Sequence, residues 1–180
     1  MKTYIALFRG INVGGKNILP MRELVSVLGG LGLKNIKTYI QSGNAIFRSS
    51  NSHAAELAAK ISAAIKASHG FEPHVLLLDA AALDKAIKDN PYAEAAPNTL
   101  HLNFLADIPR KPDMQALEKI KCASERFHLA KQVCYLHAPD GIARSKLAAS
   151  MERLLGVAMT SRNWNTVRNL KSIMDGDEFR

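Results

Sequence analysis

Apolar periodicity switches between two and 3.6 residues in a fixed succession over the first 78 residues, and this constrains the fold more than any other feature. Thr3 to Phe8 is short, β-branched and aromatic, and stops at Arg9-Gly10, as a strand does. A Gly/Asn-rich loop runs from Gly10 to Leu19, and Pro20 suits the first turn of a helix. Met21, Leu24, Val25, Leu28 and Leu31 supply a helical stripe, which Gly29, Gly30 and Gly32 end. Ile36–Ile40 and Ala45–Phe47 read as strands joined by Ser42-Gly43-Asn44, strong hairpin chemistry. Ser52 is placed to cap a second helix, striped at Ala54, Leu57, Ala58, Ile61, Ala64 and Ile65 and ended by Gly70. Val75–Leu78 closes the set as a strand. The order β-α-β-β-α-β is the split βαβ, or ferredoxin-like, alpha-beta plait.

The same order then recurs without evident residue identity. Asp79–Asp89 predicts a connecting helix, stopped by Asn90-Pro91. Leu100–Leu105 reads as a strand, Asp113–Lys121 as a helix, and Arg126–Ala130 with Val133–His137 as a hairpin. Ser145–Leu155 reads as a helix ended by Gly156, Ala158–Thr160 as a short strand, and Trp164–Met174 as a last helix. The expected class is α+β, two tandem ferredoxin-like halves: a lobe over 1–78, a connecting helix and linker over 79–97, and a second lobe with the terminal helix over 98–180.

Hydrophobic residues make up 47% of the chain and charged residues 22%, a balance that favours a packed core over disorder. The longest apolar runs, such as Val75 to Leu78, are far too short to span a bilayer, and Arg9 interrupts any signal-peptide core. Cys122 and Cys134 have no metal-ligand or C-x-x-C spacing. A cytoplasmic protein with reduced thiols, and no membrane partner, is the expectation.

The formal charge of +8 is uneven. Residues 1–78 carry nine Lys/Arg against three Asp/Glu, and residues 141–171 carry six against one. Such concentration attracts phosphate or nucleic acid, although a basic surface also serves solubility alone. Sheet alternation bears on the choice. With Ile5, Leu7, Ile36, Ile40 and Ile46 toward the helices, Tyr4, Phe8, Tyr39 and Phe47 would face the open side. There they would form a base-stacking platform beside Lys37, or be buried between the lobes or against the connecting helix.

Gly10-Ile11-Asn12-Val13-Gly14-Gly15-Lys16-Asn17 fits a phosphate-binding P-loop except at Asn17, where magnesium would need Ser or Thr. ATP hydrolysis is thereby disfavoured. A weaker expectation is an anion-binding nest of backbone amides with Arg9 and Lys16 adding charge; its alternative is a tight glycine turn. Turn geometry accounts for Ser42, Gly43 and Asn44 but does not require Gln41, which with Asn12 could offer amide groups to a ligand. Arg144-Ser145-Lys146 opens a helix, where cations oppose the macrodipole unless an anion is held there. Otherwise Ser145 is simply the cap. Ser161-Arg162-Asn163-Trp164-Asn165-Thr166 is a second dense polar cluster: Trp164 is a packing anchor, while Arg162 and Asn165 have no such structural reason. The six histidines show no metal-ligand spacing, and no cofactor or catalytic constellation is indicated.

Four blocks carry a resemblance: Tyr4–Asn17, Thr38–Asn44, Gly141–Leu147 and Thr160–Val167. They resemble the signature blocks of the bacterial domain-of-unknown-function 1697 family, with Ala143 where that family usually has Gly. The resemblance implies two ferredoxin-like halves and no settled activity. Its blocks contain Arg9, Asn12, Lys16, Gln41, Asn44, Arg144, Ser145, Lys146, Arg162 and Asn165, the residues singled out above on physical grounds. The leading expectation is that they form a site near the junction of the lobes for a phosphorylated small molecule or nucleotide. Catalysis there would be transfer or hydrolysis helped by anion stabilisation at Arg144 and Lys146. A nucleic-acid-binding module and a protein-interaction domain without a ligand are the alternatives.

Overall fold

A computed structural model describes residues 1–176 and 179. The chain is a mixed α+β protein with two four-stranded antiparallel sheets and, among the described residues, six α-helices. It divides into two compact units, Met1–Asp84 with the segment from Leu170, and Lys85–Asn169. No helix among the described residues is long and apolar enough to cross a membrane.

The first unit runs β1 (Lys2–Arg9), α1 (Met21–Gly30), β2 (Lys34–Thr38), β3 (Asn44–Ser49), α2 (Ala54–His69) and β4 (His74–Asp79). Its strand order is β2-β3-β1-β4, with β1 central and antiparallel to both β3 and β4. Two sequence expectations shift here. α2 starts at Ala54 with His53 at the cap position and no side-chain acceptor, so Ser52 does not cap it. β2 ends at Thr38 rather than Ile40, which instead takes a positive φ of 51° and is exposed.

In β1 and β3 the expected faces are reversed, while Ile36 of β2 packs on the helix side as expected. Tyr4, Ala6, Phe8 and Phe47 pack against Leu24 and Leu28 of α1 and Leu57, Ile61 and Ile65 of α2. Tyr4 and Phe47 are tilted rings 6.2 Å apart in that core. Ile5, Leu7 and Ile46 occupy the other face and are themselves buried. β1 therefore lies in a sheet buried on both sides, where period-two alternation carries no information about which face meets the helices. The aromatic platform proposed for Tyr4, Phe8 and Phe47 is lost with the reversal, since all three lie inside the core.

The second unit runs β5 (Leu100–Leu105), α4 (Met114–Ile120), β6 (Arg126–Ala130), β7 (Val133–His137), a 3-10 turn (Ile142–Arg144), α5 (Lys146–Leu155) and β8 (Met159–Asn163). The strand order β6-β7-β5-β8 repeats that of the first sheet. Leu117, Leu147, Met151 and Leu155 of the two helices pack on Leu105, Cys134 and Leu136. Asp113 caps α4 by accepting from the Ala116 N–H at 2.9 Å. β8 is longer than the predicted 158–160, so Ser161, Arg162 and Asn163 belong to a strand instead of a loop. α3 (Ala80–Lys88) and α6 (Trp164–Met174) are the helices through which the chain passes between units.

Candidate functional site

The ten predicted site residues divide between the units, five in each. In the first unit Arg9 ends β1, Asn12 and Lys16 lie on the loop that follows it, Gln41 lies on the β2–β3 loop and Asn44 opens β3. Residues 12–17 fold into a miniature hairpin: the Asn12 N–H donates to the Asn17 carbonyl (3.1 Å) and the Lys16 N–H to the Val13 carbonyl (3.1 Å). Gly14 and Gly15 form its tip, with φ of 58° and 73°, the left-handed pair that a type I′ turn requires. The two glycines thus meet the demands of turn geometry, the alternative weighed against an anion-binding nest.

Asn12 is equally committed. Its side-chain amide donates to the carbonyls of Leu19 and Gln41, each at 2.9 Å, and its Oδ1 accepts the Leu19 N–H at 2.7 Å. It therefore fastens the glycine loop to the β2–β3 loop, using Gln41 through its backbone and not as an amide pair. Asn17 adds a bond from Nδ2 to the Gly10 carbonyl, 2.8 Å. Asn44 is fully buried and donates to the Tyr39 carbonyl at 3.0 Å, which holds the hairpin shut. Two of the five, Asn12 and Asn44, thus fasten loops or turns. The side chains left at the surface are Arg9, Lys16 and Gln41.

In the second unit, Ser145 is the N-cap of α5, accepting from the Ala148 N–H at 2.9 Å. Its oxygen therefore accepts within the first turn of the helix. Arg144 and Lys146 on either side are exposed and make no ion pair among the described residues. The N–H groups of Lys146 and Leu147 likewise meet no acceptor among the described residues. Two cations and two open amides at a helix start make a place of positive potential.

Arg162 lies on β8 opposite Leu102, with Nη1 donating to the Ser161 carbonyl at 2.8 Å; burial pulls its guanidinium down to about 10. Asn163 caps α6 by accepting from the Asn165 N–H at 2.9 Å, and the Asn165 carbonyl accepts from Asn169. Trp164 is buried, as a packing anchor should be. Arg162 on β8 and Asn165 on α6 belong to other elements than Arg144, which ends the 3-10 turn before α5.

A cleft of about 430 Å³ in the first unit lies beside Lys2, Asp79, Asp84 and Lys171. Its charges are already matched, Lys2 with Asp79 at 2.8 Å and Lys171 with Asp84 at 2.9 Å, and none of the ten predicted residues lines it. Lys2, first through its hydrogen bond, holds the Asp79 carboxyl below its ordinary range. Burial pushes the Cys134 thiol up to about 12, which keeps it protonated and inert.

Sequence reasoning passed over Tyr92, Arg126, His128 and His137. The signal was present: Arg126/His128 and Tyr135/His137 each stand two residues apart on paired strands, which puts all four on one sheet face.

Two four-stranded antiparallel sheets of the same strand order define a class known by its architecture. Residues 1–135 match the family described as "Protein of unknown function (DUF1697)", and the chain belongs to that family. The matched segment ends before the Gly141–Leu147 and Thr160–Val167 blocks. A solved structure described as that of a conserved bacterial protein from Streptococcus pneumoniae is similar over 98% of this chain and 99% of its own, with 25% identity and a TM-score of 0.72. No curated protein matches.

Proposed function

We propose that this is a cytoplasmic binding protein for a phosphorylated small molecule or nucleotide, built from two ferredoxin-like halves in tandem. The fold part is supported by the strand orders, β2-β3-β1-β4 and β6-β7-β5-β8, which are those a split βαβ repeated twice would generate. The cytoplasmic part is supported by two free thiols, Cys122 exposed and Cys134 buried.

One observation carries the ligand class. Arg144 and Lys146 flank the start of α5 with no counter-ion among the described residues, and the N–H groups of Lys146 and the buried Leu147 meet no acceptor among them. Like charge at the positive end of a helix dipole costs stability, typically about 0.3–1 kcal/mol per charge, and an anion bound there reverses that cost. Phosphate suits the position because it accepts from amides and guanidinium together.

Thermal unfolding with inorganic phosphate, nucleotides and phosphorylated sugars tests this. A ligand at a hundredfold over its Kd should add about 2.7 kcal/mol. Arg144→Ala with Lys146→Ala should abolish the shift. Stabilisation that survives this double variant would mean that the anion binds elsewhere.

A further inference from the structure

We propose that the β6–β7 edge of the second sheet, on the face turned away from α4 and α5, binds a nucleobase; further in, Leu100, Leu102 and Tyr135 close that face off from solvent. Cys134 and Leu136 of β7 point into the helix-side core. Their neighbours Tyr135 and His137 therefore point to the opposite face, joined across the hairpin by His128 and Arg126 respectively. The imidazole of His128 stacks on the Tyr135 ring, with centroids 6.3 Å apart and planes 29° from parallel. The Tyr92 ring, from the turn after α3, leans on His137 at 6.2 Å, and the Arg126 guanidinium lies 5.8 Å above the Tyr92 ring centre. Four rings and a guanidinium thus share one face of a two-stranded edge. Tyr135 is fixed beneath them by its hydroxyl, which donates to the Ala86 carbonyl at 2.8 Å.

Arg126 and His128 at the edge are exposed, while Tyr92 and His137 are half-buried. Aromatic and guanidinium planes open to solvent are the elements on which bases stack.

A second observation points to a ligand with a polar edge. Asn90 is only 8% exposed; its Oδ1 accepts the Tyr92 N–H at 3.0 Å, but its Nδ2 has no partner among the described residues. The Nδ1 of His137, against the same Tyr92 ring, also has none. Buried polar atoms left unpaired are costly and uncommon in folded proteins. A base edge carries both the acceptor that an amide N–H needs and a complement to an imidazole nitrogen. A lipid or aliphatic ligand would leave both unpaired. Burial, with Arg126 adding to it, lowers the pKa of His137, so the ring is neutral near pH 7 and offers one donor and one acceptor.

This face is distinct from the start of α5, whose helix packs on the other side of the sheet. The two readings can therefore fail separately. The experiment uses the whole chain and probes without phosphate first: saturation-transfer NMR with adenosine, guanosine, cytidine and uridine. Fluorescence anisotropy with labelled single-stranded 12-mers of RNA and DNA follows. Binding is expected in at least one arm, with Kd raised about tenfold by Tyr92→Ala and by His128→Ala. Arg126→Gln, at an exposed position, should weaken it as well, and Arg144→Ala should leave nucleoside binding unchanged. Nucleoside signals assign the site to free nucleotides, whereas response to strands alone assigns it to nucleic acid. Silence in both arms up to millimolar ligand overturns the proposal, as does binding that Tyr92→Ala, His128→Ala and Arg126→Gln all leave intact.

Discussion

Replacing Gly43 by alanine should be among the most damaging single changes in the first unit. Gly43 closes the β2–β3 connection with φ at 84°, and its carbonyl accepts the Phe8 N–H at 2.9 Å, so the backbone cannot relax without losing a bond to β1. A Cβ built there meets Ile11 Cδ1 at 2.6 Å, Phe8 Cβ at 2.8 Å and Ile11 Cγ1 at 2.9 Å. Phe8 and Ile11 are both fully buried and have little room to yield. Two costs add: about 1–2 kcal/mol for an L-residue in the left-handed region, and about 1–3 kcal/mol for overpacking a dense core. The expected loss is about 2–5 kcal/mol. Gly14→Ala is the control, because φ there is also positive, 58°, while an added Cβ meets nothing within 4 Å. It should incur only the conformational cost, about 1–2 kcal/mol. Urea unfolding followed by far-ultraviolet circular dichroism measures both variants against the parent. Equal midpoints for Gly43→Ala and Gly14→Ala would refute the steric half of the reasoning.

Asn12→Ala removes three hydrogen bonds at 2.7–2.9 Å and should cost about 3 kcal/mol, at roughly 1 kcal/mol each. Amide hydrogen exchange at Leu19 should accelerate; an unchanged rate would show that the two loops are held by something else. Ser145→Ala should cost about 1 kcal/mol through loss of the α5 cap, and Ser145→Asp, which keeps an acceptor, should recover most of it in the same melts. Stability should also fall in alkali. Burial raises the Tyr135 hydroxyl from 10.0 to about 12, so the unfolded chain loses that proton first. Stability is then complete below about pH 10 and declines toward pH 12, by up to about 1.4 kcal/mol per pH unit for this group. Tyr135→Phe should flatten that decline in urea midpoints taken at pH 9 and 11, whereas an equal slope in both proteins would remove Tyr135 as its source.

Local chemistry along the chain determined the elements and their order. Pro20, Gly70 and Gly156 mark helix ends, Ser42-Gly43-Asn44 marks a hairpin, and the switching period marks each strand and helix, because these signals act within a few residues of themselves. The candidate residues were legible as chemistry for the same reason. What each one does depends on partners distant in sequence. Asn12 offers an amide on paper, but only the approach of Leu19 and Gln41 decides that its hydrogen-bonding capacity is spent on fastening loops. Ser145 keeps its role at the helix start because the Ala148 amide is three residues away. The face of the first sheet could not be read, since β1 has buried side chains in both registers and alternation then fits either answer. Tyr92 and His137, 45 positions apart, have no relation until β6 and β7 pair and the turn after α3 lies against them. Short-range geometry is therefore written in the order of residues, while the joint use of side chains is settled by tertiary packing, which alone brings remote polar groups within the reach of a hydrogen bond.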